Sequence, residues 1–251
     1  MALVPTIPGL EIQRVTPESP LYSEARRLHA ECYLDAGYVS PEDIRDDGWI
    51  HDIWVPVSQY FAAVDSSTDE VVGTCRAIRP SVRGLPAFLE TPIDAEAIEI
   101  FGEIDPNRCF EISAFATRRI GLQNMAISAA LYSAVMQLAL AEDRAYLIAL
   151  MDNRFLRIMR RWFQFPFESI GNASMYMGST STPVAMYVPR VVELYRDELP
   201  DSLAFFCGDI SLQDLDDLII DLRDRVPDYR AKIIDLSQHS HEEDDIKASL
   251  L

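Results

Sequence analysis

Glu111 and Ser113 are the residues whose types and spacing most clearly offer chemistry. They lie two positions apart in CFEISAFATRR, residues 109–119, which otherwise reads as a buried strand. Because side chains alternate along a strand, both are predicted to share one face with Phe115 and Thr117. Burial raises the pKa of a carboxyl group towards neutral, where it can act as a general base. We therefore interpret Glu111 as a candidate base. Ser113 either orients substrate or satisfies a neighbouring backbone group.

Arg76 is the second candidate, because it lies among apolar residues in VVGTCRAI, residues 71–78. This setting predicts a buried guanidinium, which needs a carboxylate partner. Two partners are open. One is Glu111, in which case the glutamate is a structural residue. The other is the carboxylate of an amino acid substrate, which arginine binds through two parallel hydrogen bonds.

Composition excludes several classes of function. The chain has 251 residues and a formal net charge of −18, which argues against nonspecific nucleic-acid binding, since that requires a basic surface. The four cysteines are scattered without metal-ligand or redox spacing, and the four histidines form no metal-ligand set. No metal site is therefore predicted. His51, which lies in an acidic loop, is a second candidate base.

Targeting signals are not evident in the sequence. The first residues, MALVPTIPGLEIQR, show neither the basic start nor the long apolar run of a signal peptide. Residues 121–141 carry no charge but include several polar side chains, so we expect a helix buried against a sheet rather than a membrane span. With scattered cysteines read as reduced thiols, these features predict a cytoplasmic protein.

The order of predicted elements is strand, helix, loop, two strands, loop, strand, helix, strand, helix and a strand pair. A strand–helix–strand unit within a mostly antiparallel set indicates an α/β protein, a three-layer α/β/α sandwich with a central mixed, mostly antiparallel sheet. We predict one domain over residues 1–195. Residues 196–251, with 15 acidic and 6 basic residues, are predicted to be an acidic helical C-terminal extension ending in a mobile tail.

This order and these residues resemble the GNAT acyltransferase superfamily. Within it, the chain is similar to the branch of acyl-homoserine-lactone synthases and long-chain N-acyl amino acid synthases. The central strand of the lactone synthases reads Glu-x-Ser-Arg-Phe, and here the run is Glu111-Ile112-Ser113-Ala114-Phe115. The resemblance covers roughly residues 10–190 and implies a GNAT-like fold and acyl transfer to an amine.

Further parts of the family pattern have counterparts upstream of this strand. The family carries an arginine on its first helix, an acidic cluster in the following loop and a Gly-x-x-Arg run, here residues 73–76. The resemblance therefore implies a set of substrate-binding residues, and backbone N–H groups after the central serine that hold the thioester oxygen. The set is Arg27 (or Arg26), Asp47 (or Asp46), Asp52, Arg76, Phe115 and Thr117.

Two departures from the family patterns bear on the substrates. Ala114 stands where the lactone synthases carry arginine, so the amino acid synthase branch is the closer match and S-adenosylmethionine use is not expected. Gln123 stands where CoA-dependent members carry a small residue, and NRFLRIMRRWF lacks the tyrosine that many of them use as general acid. Gln123 and the missing tyrosine both favour an acyl-carrier-protein (ACP) thioester over CoA.

The same segment, residues 153–163, predicts a helix with four arginines within eight residues. They are Arg154, Arg157, Arg160 and Arg161. Acyl carrier proteins are strongly acidic, and a local basic patch steers an acidic partner in despite the negative overall charge. We predict a carrier-protein docking surface here. The alternative is a solvated helix face that bridges to the acidic C-terminal extension.

The sequence thus predicts an N-acyltransferase that moves a fatty acyl group from an ACP thioester to the amine of an amino acid or similar small amine. Direct attack is expected, because no cysteine has the surroundings of a nucleophile. No permanently bound cofactor is expected, with acyl-ACP or acyl-CoA as donor. The alternatives are an acetyl-CoA-dependent N-acetyltransferase, an acyl-homoserine-lactone synthase and a non-catalytic GNAT-like binding module.

Overall fold

A computed structural model describes residues 8–94, 104–118, 121–163, 165–208 and 211–225 of the chain. The strands are β1 (Leu10–Val15), β2 (Ser58–Asp65), β3 (Glu70–Ile78), β4 (Cys109–Thr117), β5 (Tyr146–Asp152), β6 (Glu168–Ser169), β7 (Ser174–Tyr176) and β8 (Ser179–Tyr187). The α-helices are α1 (Pro20–Asp35), α2 (Pro86–Glu90), α3 (Gly121–Ala141), α4 (Asn153–Trp162), α5 (Val188–Glu198), α6 (Pro200–Cys207) and α7 (Leu212–Arg225). The predicted element order is confirmed, with β6, α5 and α6 in addition.

The strands form one sheet in the order β1-β2-β3-β4-β5-β8-β6, and β7 pairs with β8. The β4–β5 pair is parallel and the other neighbouring pairs are antiparallel. Apolar residues of α1 pack on one face of the sheet, and apolar residues of α3 pack on the other. The predicted three-layer α/β/α sandwich with a mixed, mostly antiparallel sheet is confirmed.

The long apolar helix α3 lies inside this sandwich. By length and composition its segment Gln123–Ala141 would be able to cross a membrane, but 67% of the most apolar window is buried within the protein. Ile127, Leu131 and Val135 are fully buried against the sheet. A core helix has this composition because it is covered on most sides.

β4 and β5 pair over only a short length. Residues 109–111 of β4 pair with residues 146–148 of β5, and β5 then pairs with β8 over its whole length. In the second half of β4, the edge of the strand that faces β5 therefore has no strand pairing among the described residues. The sheet opens between these two strands just beyond Glu111.

A β-bulge at Ala114 interrupts the alternation of β4. Ala114 has a φ of 50°, in the left-handed region, and the β3–β4 register shifts between Thr74 and Arg76. A bulge places one extra residue on one strand, so the side chains that follow it point to the opposite face from the one that simple alternation predicts. Side chains at alternate positions before the bulge and after it consequently point to different faces of the sheet.

The prediction that Phe115 and Thr117 share a face with Glu111 is wrong for this reason. The ring of Phe115 lies 5.1 Å from that of Tyr132 on α3. The hydroxyl of Thr117 donates to the amide oxygen of Asn124, also on α3, at 2.8 Å. Both side chains therefore lie on the α3 face, whereas the first half of β4 presents its polar residues to the α1 face.

Helix α5 passes through the predicted boundary at residue 195. Tyr195 is fully buried, and its hydroxyl donates to the carbonyl oxygen of Phe163 at 2.7 Å. Leu203 and Phe206 of α6 also join the main hydrophobic core. These helices thus pack on the main body, and the division at residue 195 stays a prediction. The predicted mobile tail lies outside the described residues.

Gly73 allows α3 to pack closely on β3, and this packing can be tested. A Cβ at this position would lie 2.4 Å from Cγ2 of Ile127. We expect Gly73→Ala to lower the free energy of unfolding by about 1–3 kcal/mol, because the core would be overpacked. In a double-mutant cycle measured by chemical denaturation, Gly73→Ala should cost less in an Ile127→Ala background. Strictly additive costs would contradict this packing.

Candidate active site

A cavity of about 530 Å³ lies on the α1 face of the sheet, where β4 and β5 separate. Its walls come from α1, the loop after α1, strands β3, β4 and β5, and the β7–β8 turn. Glu111, Ser113, Arg76 and Asp52 all line it. The fold therefore brings together four of the residues that the sequence marked as site residues.

Glu111 is almost completely buried, with 2% of its surface exposed. Its Oε2 accepts a hydrogen bond from the backbone N–H of Ala87 at 2.8 Å, in the first turn of α2, where such groups lack partners within the helix. Burial raises the pKa of Glu111 to about 8, although the Ala87 N–H and the charge of Arg76 act to lower it. The carboxyl group therefore exchanges its proton near neutral pH, as a general base must.

Arg76 is also buried, and its carboxylate partner is Asp52. The Nη2–Oδ2 distance is 2.6 Å. The same guanidinium donates to the hydroxyls of Tyr60 and Ser113, each at 3.3 Å. Glu111, one of the two candidate partners, acts on Arg76 only through its charge, and the carboxylate of a substrate stays a prediction. Burial acts to lower the pKa of Arg76, but Tyr60 and Asp52 raise it overall, so the guanidinium stays charged.

The loop that carries Asp52 is held on α1 by Arg26. The guanidinium of Arg26 lies 4.3 Å from the centre of the Trp49 ring and donates to the carbonyl oxygen of Ile50 at 2.7 Å. Asp52 itself accepts a hydrogen bond from the backbone N–H of Trp54 at 2.9 Å. A cation over an aromatic face is favourable when both groups are desolvated, so these contacts fix the carboxylate above β3.

Arg27 and Asp47, which the resemblance assigned to substrate, lie outside the cavity lining, as do Phe115 and Thr117. Arg27 is exposed on the outer side of α1 and donates to Ser23 at 3.1 Å, so the inward-facing arginine is the alternative, Arg26. Asp47 is exposed, and it lies 2.8 Å from Nε2 of His51. Direct contact of Arg27 and Asp47 with substrate in this cavity does not fit their placement. His51, the second candidate base, does line the cavity.

Sequence reasoning missed two side chains of α1 that line the cavity, His29 and Tyr33. Their rings meet edge to face with centroids 4.2 Å apart. Burial lowers the pKa of His29 to about 3, with further lowering by the charges of Arg76 and Arg26, so the imidazole is neutral. A signal was present, because Ala25, His29 and Tyr33 follow one another at intervals of four on the inner face of the helix.

The four arginines of α4 are all exposed, at the side of the protein beyond β5. The side chain of Asp152 caps the helix by accepting from the backbone N–H of Arg154 at 2.8 Å. Arg160 donates from Nη2 and Nε to the carbonyl oxygen of Phe167, at 2.7 and 3.0 Å. Arg160 therefore has a structural partner, while Arg154 and Arg157 point to solvent.

Within the described ranges, no group of three or more histidine, cysteine, aspartate or glutamate residues is placed to hold a metal ion. The chemistry of the cavity is that of a buried carboxyl group beside a fixed ion pair. Such a site can move a proton and orient a charged substrate.

Comparison with solved structures identifies the fold. The fold is similar to that of BjaI, a CoA-dependent acyl-homoserine lactone synthase with SAM and isopentyl-CoA, at 17% identity and a TM-score of 0.57 over 87% of this chain and 90% of that chain. It is also similar to FeeM, an N-acyl amino acid synthase from uncultured soil microbes, at 19% identity and a TM-score of 0.54 over 73% and 93%. The predicted GNAT-like fold is confirmed.

The family follows from the sequence comparison. The model of the N-acyl amino acid synthase FeeM family matches residues 24–189. The chain therefore belongs to this family, and it is an N-acyltransferase. A comparison with curated proteins gives no match.

The raised pKa of Glu111 predicts how stability depends on pH. A carboxyl group with a folded-state pKa of about 8, above its ordinary value of 4.5, binds its proton more tightly in the folded state. The stability that it contributes is complete below pH 4.5 and is lost as the pH rises through 8. We expect Glu111→Gln to raise the melting temperature relative to wild type at pH 9 more than at pH 5.

Thermal melts of wild type and variant across this range check the prediction. Glu70→Gln, at the exposed start of β3, is the matched control and should give a difference that does not change with pH. A Glu111→Gln difference that is equally constant would contradict the assignment of a protonated carboxyl group at neutral pH.

Proposed function

We propose that this protein acts in the cytoplasm and transfers a fatty acyl group from an ACP thioester to the amine of an amino acid or similar small amine. The observation that carries the proposal is the buried carboxyl group of Glu111 at the wall of the cavity, with a pKa near 8. The amine nitrogen attacks the thioester carbonyl carbon, a C–N bond forms and the C–S bond breaks. Glu111 accepts the proton that the amine loses and passes it to the sulfur, so the carrier leaves as a thiol and the carboxylate of Glu111 is restored.

The ion pair on the cavity wall supports a small charged acceptor. Asp52 keeps 23% of its side chain exposed although it is bound to Arg76, so it faces the cavity beside Glu111. The carboxylate of Asp52 attracts an ammonium group before it is deprotonated. The guanidinium of Arg76 offers the opposite charge to the carboxylate of an amino acid, and Ser113, bound to Arg76, orients the same end of the acceptor.

The opening between β4 and β5 supports approach of the thioester from the second half of β4. Residues 115–117 lie beyond the part of β4 that pairs with β5, so backbone N–H groups on that side are suited to hold the oxygen of the tetrahedral intermediate. In this proposal Phe115 and Thr117 act through the backbone. Their side chains pack on α3 beneath it.

The exposed arginines of α4 support an acidic carrier protein as donor. In the part of the chain that the structure describes, no carboxylate pairs with Arg154 or Arg157. Because α4 follows β5 directly, this patch lies next to the strand at which the sheet opens. We place carrier docking on Arg154, Arg157 and Arg161, with Arg160 holding the backbone that follows the helix.

Acyl-CoA is the second candidate donor. One specific observation favours it, namely the similarity in fold to BjaI, which is CoA-dependent. The two donors share the thioester and the phosphopantetheine arm, so the catalytic proposal is the same for both.

The proposed role of Glu111 is tested by product formation. Purified wild type should form N-acyl amino acids from acyl-ACP, detected by mass spectrometry, and Glu111→Gln should lower the rate at least about a hundredfold because the general base is lost. The wild-type rate should rise as the pH passes through about 8, when the carboxyl group ionises. The variant should keep only the rise that belongs to the amine itself.

His51→Gln is the matched control for this experiment, because His51 is the second candidate base and also lines the cavity. It should keep most of the activity. A loss with His51→Gln and full activity with Glu111→Gln would assign the base to His51. Formation of acetylated products alone, from acetyl-CoA, would replace the proposal by the acetyltransferase alternative. If neither donor gives a product, the alternative that remains is the non-catalytic GNAT-like binding module.

The docking proposal predicts a difference between donors. Arg154→Glu and Arg157→Glu should each raise KM for acyl-ACP by about tenfold, corresponding to about 1.4 kcal/mol, because an acidic carrier is repelled. KM for acyl-CoA should change much less, and the effect should shrink as salt is added. Steady-state kinetics at two ionic strengths measure this.

Arg27→Glu is the matched control, because it reverses the charge of an arginine that is exposed like Arg154 and Arg157 but lies on α1. It should leave KM for both donors unchanged. Equal effects of Arg27→Glu and Arg157→Glu on acyl-ACP would show that only net charge matters, and would contradict a docking surface on α4.

A further inference from the structure

His29 is a polar residue in the cavity that the mechanism above does not use. It lies on the inner face of α1, it is 6% exposed, and it lines the cavity with Tyr33 and Arg76. Its Nε2 atom is buried and has no hydrogen-bond partner among the described residues. Leaving a buried polar atom unpaired is costly, so such an atom calls for an explanation.

Packing alone does not explain the residue. Its ring meets the ring of Tyr33 edge to face, a contact that a phenylalanine side chain would also make without burying an unpaired nitrogen. What the imidazole adds at this position is a hydrogen-bonding group inside the cavity. Since the ring is neutral, it carries one N–H donor and one acceptor nitrogen.

The charges around His29 indicate the kind of group that it meets. Arg26 and Arg76 both act on the ring, and Arg26 pairs with no carboxylate in the described part of the chain. Of the acidic residues that line the cavity, Glu111 lies on the sheet, whereas Glu42, Asp43 and Asp52 lie on the loop that follows α1. Arg26 on α1 and Arg76 on β3 thus place positive charge near His29, and the carboxylates of the lining are available to the ammonium end of an amino acid.

We propose that His29 is a specificity-determining residue whose neutral imidazole donates a hydrogen bond to the carboxylate of the acceptor amino acid. This inference rests on the proposed function. Arg76 supplies charge to the same carboxylate, whereas His29 supplies direction, because a single N–H must point at the oxygen. A site built to hydrogen-bond a substrate group rejects analogues that lack it, since its own polar atom is then left unpaired.

Matched pairs of acceptors test this role. The probes are L-phenylalanine, L-leucine and L-serine, each against its carboxamide, with the same acyl donor. The readout is the ratio of kcat/KM for the acid to kcat/KM for the amide, which cancels effects on the donor and on the chemistry. We expect His29→Phe, which keeps an aromatic ring, to lower this ratio about tenfold or more. His29→Asn, which keeps a neutral donor, should retain more of the ratio.

The controls separate specificity from structure and from the proposed function. His51→Phe removes the other cavity histidine and should leave the ratio unchanged, and His29→Phe should leave KM for the acyl donor unchanged. Calorimetric binding of the same acids and amides repeats the comparison without turnover. If wild type forms no product but binds acids in preference to amides through His29, the inference stands and the proposed function fails. An acid preference that is absent from wild type, or equal in wild type and His29→Phe, overturns the inference.

Discussion

The burial of the Arg76 guanidinium is the constraint on which the site depends. An arginine removed from water must be paired, and breaking such a pair by removing one partner costs about 3–5 kcal/mol. Its partner, Asp52, lies 24 residues earlier in the chain, on the loop between α1 and β2 and outside the short 3-10 helices of that loop. The ion pair therefore draws this loop onto the sheet, and the contacts of Arg26 with the same loop hold it there. The cavity is the space that remains beneath the loop.

This pairing also decides the state of Glu111. Because Asp52 takes the direct contact with Arg76, the glutamate keeps only one backbone N–H and a distant cation to offset its burial. Two acidic side chains on one wall are thus given different roles by their surroundings. The one in the ion pair is held by Arg76, and the buried one is poised to exchange a proton. Different surroundings are how two carboxyl groups in one site come to have different roles.

The sequence predicted the elements and the polar pair of β4 because periodicity and buried polar residues are local signals. The sequence-based prediction was wrong where the face on which a side chain lies depends on a shift of one residue along a strand or helix. Ala114 adopts a left-handed backbone without the glycine that usually marks one, so nothing indicated the bulge that turns Phe115 and Thr117 to the other face. Arg26 and Arg27 differ by about 100° around α1, and the family pattern allowed either. The partner of Arg76 lies in a loop, where no periodicity predicts the register.

In the proposed reaction, the bulge at Ala114 allows a single strand to meet both substrates. Before it, Glu111 and Ser113 face the cavity under α1, and after it the side chain of Phe115 joins an aromatic cluster on the α3 face. The reversal occurs where β4 has already left β5. The strand therefore offers a proton acceptor on one face, an apolar surface on the other and an unpaired edge between them. An amine arriving from one side and a thioester entering along the edge would meet at this point, which is the geometry that direct transfer without an acyl-enzyme requires.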